Sequence, residues 1–284
     1  MTAHKLTRGA LYLLAGLVFA AGLVAQAPAA WLDLLVSRAS HGAVRLAEPS
    51  GSLWSGRGQL QLAPDRLLAS DLAPHTRGPA PAEALGGASE NLVLVQAFDW
   101  KIRVAVLPLR VLVQLQSPQL QGPVRQQPIV WSSAGLQVPD GQLRLPWLDL
   151  AQSQGALALA RASLSVDLSW QSLVFTGSGL GHRAEINLLL NDLALGLSPI
   201  RPLGNYRVAI RPGLPGARGE INGLTWSLSS LGDPVLQLDG QGRFNQALSG
   251  RVQMACRRSC EFVVGLLSVM GRKNGEIYEL VLGS

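Results

Sequence analysis

Groups able to do chemistry are few and far apart in this chain. Two cysteines, Cys256 and Cys260, flank Arg257-Arg258-Ser259. Outside the cytosol, paired cysteines are normally oxidised. On one extended strand this spacing would hold their Cα atoms about 13 Å apart, beyond the reach of a disulfide. A turn or a helical turn brings them within range, so a structural disulfide here requires the chain to bend. Closing so short a loop adds about 2 kcal/mol by chain entropy. A metal site needs two further ligands, and no His or other Cys lies nearby. The two-residue spacing of redox pairs is absent. The four histidines, His4, His41, His75 and His182, are scattered. A Ser/His/Asp or Cys/His site needs one of them beside a nucleophile. Ser178 lies in Gly177-Ser178-Gly179, which reads as a turn and not as a nucleophile elbow. Glu48, Asp65, Asp99 and Asp149 have no spacing that pairs them. No phosphate-cradling glycine loop precedes a helix. The reading is a protein that is not an enzyme, with no catalytic, cofactor-binding or metal-binding residues.

The balance of charge points outward. The net charge is +6 at a sequence pI near 10.0, and charged residues make up 15% of the chain, against about 25% in an ordinary soluble domain. Of the 24 basic residues three are Lys and the rest Arg. Apart from Arg257-Arg258 the arginines stand singly, with no cluster of aromatic and basic residues, which argues against nucleic acid. A solvated basic surface is the simplest account, with anionic lipid headgroups or an acidic partner as counterparts.

The elements that must position these groups begin with an uncharged run from Gly9 to Leu32, preceded by Lys5 and Arg8 and followed by Asp33. As one helix it would reach about 36 Å, enough for a hydrocarbon core of about 30 Å. The basic end stays in the cytoplasm and the bulk crosses the membrane. A cleaved signal peptide would also export the chain, with Ala27-Pro28-Ala29 as its small-residue site. The length of the run and Pro28 within that site favour a retained anchor. Expected segments are therefore a cytoplasmic end at 1–8, an anchor at 9–32, a short juxtamembrane helix at 33–45, and a periplasmic β-rich domain at 46–284. The helix pattern itself begins at Trp31, which suits the headgroup level, and runs to residue 39.

Beyond it the hydrophobic period becomes two. Ile102, Val104 and Val106 alternate with Lys101 and Arg103; Leu143, Leu145 and Trp147 with Gln142, Arg144 and Pro146; Leu164, Val166, Leu168 and Trp170 with Ser163, Ser165, Asp167 and Ser169. Similar runs follow at 186–190, 206–210, 224–228, 236–244 and 252–254. Such runs expect antiparallel strands covered on one face. Turns are expected at Pro139-Asp140-Gly141, Gly177-Ser178-Gly179, Pro212-Gly213, Asp239-Gly240 and Asn274-Gly275. A Pro- and Ala-rich insertion occupies 64–90, an amphipathic helix is expected at 261–270, and a strand closes the chain at 276–282. The fold class is mainly β: a long curved antiparallel sheet or half-open barrel behind one N-terminal transmembrane helix, with short helices at the start and near the C-terminus. Its concave apolar side can be filled by its own side chains, by lipid or by a partner.

The most specific local motif is Gly51-Ser52-Leu53-Trp54-Ser55-Gly56-Arg57-Gly58. Glycines allow tight backbone approach, and a Trp is a large apolar anchor. This motif reads as a strand entering the sheet with a bulge and a buried Trp54, or else as a contact for a partner. Gly51, Trp54, Gly56 and Arg57 make the chain resemble protein N of the type II secretion system. Further family-like segments are Trp100-Lys101-Ile102-Arg103 through Pro108-Leu109, Pro202-Leu203-Gly204-Asn205-Tyr206, Leu238-Asp239-Gly240-Gln241-Gly242-Arg243-Phe244, and Leu266-Leu267 with the closing strand. The resemblance implies a bacterial inner-membrane accessory subunit that acts by binding. Its partners would be the inner-membrane platform and the route to the outer-membrane secretin. The alternative expectation is an envelope protein that binds or transfers lipid in an apolar β groove.

Overall fold

The computed structural model describes residues 16, 19, 22–23, 25–40, 42, 44–62, 93–149, 161–176, 179–181, 183–196, 198–213, 223–244, 248–257, 272–275 and 277–282. Most of them are strand, in two antiparallel sheets. The first has the order β1 (Val44–Gly51), β2 (Ser55–Leu62), β3 (Val93–Val106), β4 (Leu109–Gln116), β6 (Ile129–Ser132), β7 (Gly135–Val138), β10 (Leu173–Thr176) and β11 (Gly179–Leu180). The second has the order β17 (Arg272–Asn274), β18 (Ile277–Leu282), β16 (Leu248–Cys256), β15 (Leu236–Phe244), β14 (Leu224–Leu231), β13 (Gly204–Pro212), β12 (Glu185–Leu195), β9 (Ala162–Gln171), β8 (Gly141–Asp149) and β5 (Leu120–Gln121). Neither closes on itself.

The expected single sheet is thus divided in two, but one hairpin serves both. Strand β7 runs into β8, and β9 into β10. Val138 faces Leu173 in the first sheet and Gly141 faces Trp170 in the second, without any change of register. Between these two pairs the ladder is interrupted only at the corner. There Pro139 has no N–H to donate, and Ser172 adopts a left-handed φ of 51°. Side chains fasten the bend: the Trp170 indole N–H donates to the Pro139 carbonyl at 2.8 Å, and the Ser172 N–H to Asp140 Oδ1 at 2.7 Å. The expected turn at Pro139-Asp140-Gly141 is therefore a corner between sheets.

Alternation places the core of the second sheet on one face. Leu143, Leu168, Leu188, Val208 and Leu228 are successive cross-strand neighbours, continued by Gly240, Val252 and Leu280. Two adjoining clusters, around Tyr206-side residues Leu203, Leu236 and Met254 and around Leu145, Leu164 and Val166, bury its two ends. The other face is polar, and arginines meet acids across strands: Arg144 with Asp167 at 2.8 Å, Arg211 with Glu185 at 2.6 Å, Arg251 with Glu279 at 2.7 Å.

Two expectations for the strands need correction and a third holds. Trp147 was expected inward, but a bulge between Leu145 and Leu148 gives β8 one extra residue. That slip reverses the alternation: Leu148 joins the core and Trp147, at φ 23°, is 60% exposed. Asp239-Gly240 is no turn; it lies mid-strand in β15, opposite Gln253 and Val252. The chain reverses instead around Gly232, at φ 70°. Asn274-Gly275 does turn as expected, joining β17 to β18 with Gly275 at φ 66°.

The N-terminal boundaries also move. Helix α1 spans Ala30–Ala39, and a bridge at Pro28 to Ser52 precedes it. The uncharged run therefore does not continue as one helix to Leu32. The helix expected at 33–45 starts earlier and stops at Ala39, where Gly42 at φ 81° donates its N–H to the Ser37 carbonyl at 2.7 Å; Val44 already belongs to β1. Among the described residues no helix is long and apolar enough to cross a membrane. Most of 9–24, including Gly9, lies outside the described residues, as do the insertion at 64–90 and the helix expected at 261–270.

Candidate functional site

The hairpin β1–β2, which carries the glycine-tryptophan motif, is where the N-terminal segment joins the β body. Gly51 turns with φ 95°, and the Ser52 N–H donates to the Ser55 carbonyl at 2.9 Å. The incoming chain is stitched to this turn by Leu53 N–H to the Ala27 carbonyl at 2.8 Å and Ala29 N–H to the Gly51 carbonyl at 3.3 Å. Ala27 and Ala29 are buried, and Ala29 packs with Leu46 and Trp100.

The tryptophan that fills this core is Trp100 of β3, not Trp54. Trp54 sits half-buried in the turn, and its carbonyl accepts the Ile102 N–H at 2.6 Å. Gly56 lies directly opposite Trp100; a Cβ there would come within 2.6 Å of the indole ring. The Trp100 indole N–H reaches over it to the carbonyls of Ser52 and Leu53, at 3.3 and 3.2 Å. Only glycine leaves room for this contact.

The same device recurs twice. Trp170 covers Gly141, with its indole N–H on Pro139. Trp226 covers Gly242, with its indole N–H on the Ser249 carbonyl at 3.1 Å. Gly242 is thus part of a Trp seat, which explains why Asp239-Gly240 lies in a strand. The sequence does hold the signal: each of these tryptophans ends or interrupts an inward row, and each partner glycine stands in another inward row. What it lacks is the register that pairs them.

Beside the motif, Arg57 Nε donates to Asp99 Oδ1 at 2.6 Å. This hydrogen bond holds the Asp99 carboxyl below its ordinary value and raises the Arg57 guanidinium. Both side chains are exposed, so the pair adds little to stability. Arg57, Asp99, Lys101 and Gln114 border an open hollow of about 560 Å³. It is shallow and polar, suited to a protein surface contact and not to enclosing a small molecule.

The other candidates are dispersed. Glu48 accepts a hydrogen bond from Gln59 at 3.2 Å, and Asp99 is held by Arg57, so neither is poised with a second acid. Asp149 stands in β8 opposite Ser163. Asp65, Ser178 and the four histidines lie outside the described residues. Among the described residues no group of His, Cys, Asp or Glu could hold a metal, and no cysteine is a free thiol. Cys256 is the last residue of β16, and the chain leaves the strand at Arg257, whose N–H donates to the Val235 carbonyl. Cys260 lies outside the described residues.

A buried polar knot sits where β4 leaves the first sheet for the second. Gln96 donates to Ser117 Oγ at 2.9 Å and also to Gln119. Its partners satisfy it, so it reads as a structural joint. Compared with known proteins, the chain matches no family model, no curated protein and no solved structure.

Proposed function

We propose that this chain is a non-catalytic accessory subunit of a bacterial type II secretion system, held in the inner membrane with its β body in the periplasm. The observation that carries the reading is the stitching of Ala27, Pro28 and Ala29 into the first hairpin. It couples the uncharged run directly to the β body with no linker between them. The proposed span is accordingly shortened to residues 9–25, about 25 Å as a helix and at the short end of what crosses a bilayer. Retention suits this arrangement, because a cut after Ala29 would remove two buried residues from the core. The motif of Gly51, Trp54, Gly56 and Arg57 supports the family reading, and the hollow beside Arg57 and Asp99 supplies a surface for platform subunits or the secretin. The edge strands of the two sheets, β1 and β11 in the first and β17 and β5 in the second, add further docking lines for a partner strand. Cys256 and Cys260 are proposed to pair in this oxidising compartment.

Deletion of the gene should impair export of folded periplasmic proteins, and crosslinking in the periplasm should recover secretion subunits. Normal secretion together with no recovered subunit would overturn the proposal. A second reading, lipid binding, is favoured by the apolar face of the second sheet, where many residues are only half-buried. Stoichiometric phospholipid in the mass spectrum of the purified protein would support it.

A further inference from the structure

Apolar side chains normally leave the tip of a hairpin to polar residues, but the β3–β4 tip reverses this. Leu107 is 94% exposed, Val106 73% and Leu109 68%, with Pro108 between them. Trp131 of β6, cross-strand to Val111, is 62% exposed on the same face. Arg103 and Arg110 are exposed at the base of the tip, and neither pairs with an acid among the described residues.

The tip also has a place. Strand β2 begins at Ser55, opposite Lys101, so among the described residues β3 continues past the β1–β2 turn with only β4 beside it. Pro28 bridges to Ser52 at that same turn. The protruding apolar tip and the point where the uncharged run arrives are thus at one end of the first sheet. Helix α1 packs on the sheet face that carries Trp100 and Ile102, the face that continues to Val104 and Val106. Its outer stripe, Trp31, Leu34 and Leu35, is exposed as well, and Arg38 completes the stripe one turn on.

We propose that this end of the first sheet is a membrane contact: the β3–β4 tip dips into the outer leaflet of a bilayer containing anionic lipid, with α1 lying along it. The chemistry matches that surface in each part. Leucine and valine enter the acyl boundary, tryptophan sits at the headgroup level, and arginine meets lipid phosphate. The proposal rests on the membrane reading above for the choice of bilayer over another partner, but its test separates the two.

The full chain would be reconstituted in vesicles of phosphatidylethanolamine and phosphatidylglycerol doped with a photoactivatable diazirine phospholipid, and crosslinked peptides mapped by mass spectrometry. Crosslinks within 104–111 are expected. Crosslinks within 9–25 alone would overturn the tip contact and leave the anchor standing. Crosslinks at the tip without any in 9–25 would uphold the contact and overturn the anchor. Tip-to-tip protein crosslinks in place of lipid ones would assign the surface to a second copy and overturn the proposal. Leu107→Glu, at so exposed a position, leaves the fold intact. It should cut lipid crosslinking at the tip about tenfold, the effect of removing one inserted leucine, with 9–25 unchanged. An undiminished yield would overturn the proposal, as would an equal wild-type yield in phosphatidylcholine alone, since the arginines would then have no anionic headgroup to meet.

Discussion

Tyr206 and the glycine-seated tryptophans set the stability of single positions. Tyr206 is fully buried and donates its hydroxyl to the Leu236 carbonyl at 2.7 Å. Removing that donor leaves a buried carbonyl unsatisfied, so Tyr206→Phe should cost about 1–2 kcal/mol at neutral pH. Burial also pushes the phenol well above its ordinary value. The unfolded chain releases this proton above about pH 10, whereas the folded chain keeps it. The unfolded state then binds fewer protons, and stability falls as pH rises through that range. Urea midpoints measured on either side of it should drop more for wild type than for Tyr206→Phe, which cannot titrate; equal drops would assign the alkaline loss to other groups. At Gly56 and Gly242 the expectation is steric. An added methyl meets the Ser50 carbonyl and the Trp100 ring in one case, and the Ser249 carbonyl and the Trp226 indole nitrogen in the other. Each Gly→Ala change should cost about 1–3 kcal/mol by overpacking, read as a lower urea midpoint at unchanged slope. Little loss at either site would mean that the neighbouring strand and the indole can both move away from the added methyl.

Strands and their faces were legible in the sequence wherever alternation is unbroken. Leu164, Val166 and Leu168 lie inward as the period of two requires, and so do Leu188, Val208 and Leu228. Legibility failed where one residue is added or a side chain replaces a backbone bond. The bulge in β8 leaves no compositional mark, because Trp147 and Leu148 are both apolar and either could point inward. Stability distinguishes them: Leu148→Ala should cost about 2–4 kcal/mol, and Trp147→Ala no more than about 0.5 kcal/mol. The reverse order, measured by chemical denaturation, would remove the bulge. The corner was equally hidden. Pro139-Asp140-Gly141 has the residues of a tight turn, and only the partner strand, with Ser172 at φ 51°, makes it a bend. The motif at 51–58 was visible as a motif, but the tryptophan it serves is 44 positions from Gly56, at Trp100, and local spacing carries no such pairing.

At the scale of the whole molecule, the joint between the N-terminal segment and the β body decides what kind of protein this is. A leader destined for removal would gain nothing from packing against the mature fold. Here Ala29 lies 2% exposed against Leu46 and Trp100, and Ala27 accepts a hydrogen bond from Leu53. Two methyl groups buried and two backbone bonds made amount to about 3 kcal/mol. The comparison that isolates the joint is between two shortened chains, one beginning at Ala27 and one at Trp31, both lacking the proposed span. The first should keep its stitching to Gly51 and Leu53. The second loses that stitching, opens the edge of β1 beneath α1, and should unfold at a lower urea concentration by an amount equivalent to about 3 kcal/mol. If both unfold at the same concentration, residues 27–29 are a tether and not part of the fold. Cleavage at Ala29 would then cost the protein nothing, and the proposed anchored scaffold would give way to a released carrier.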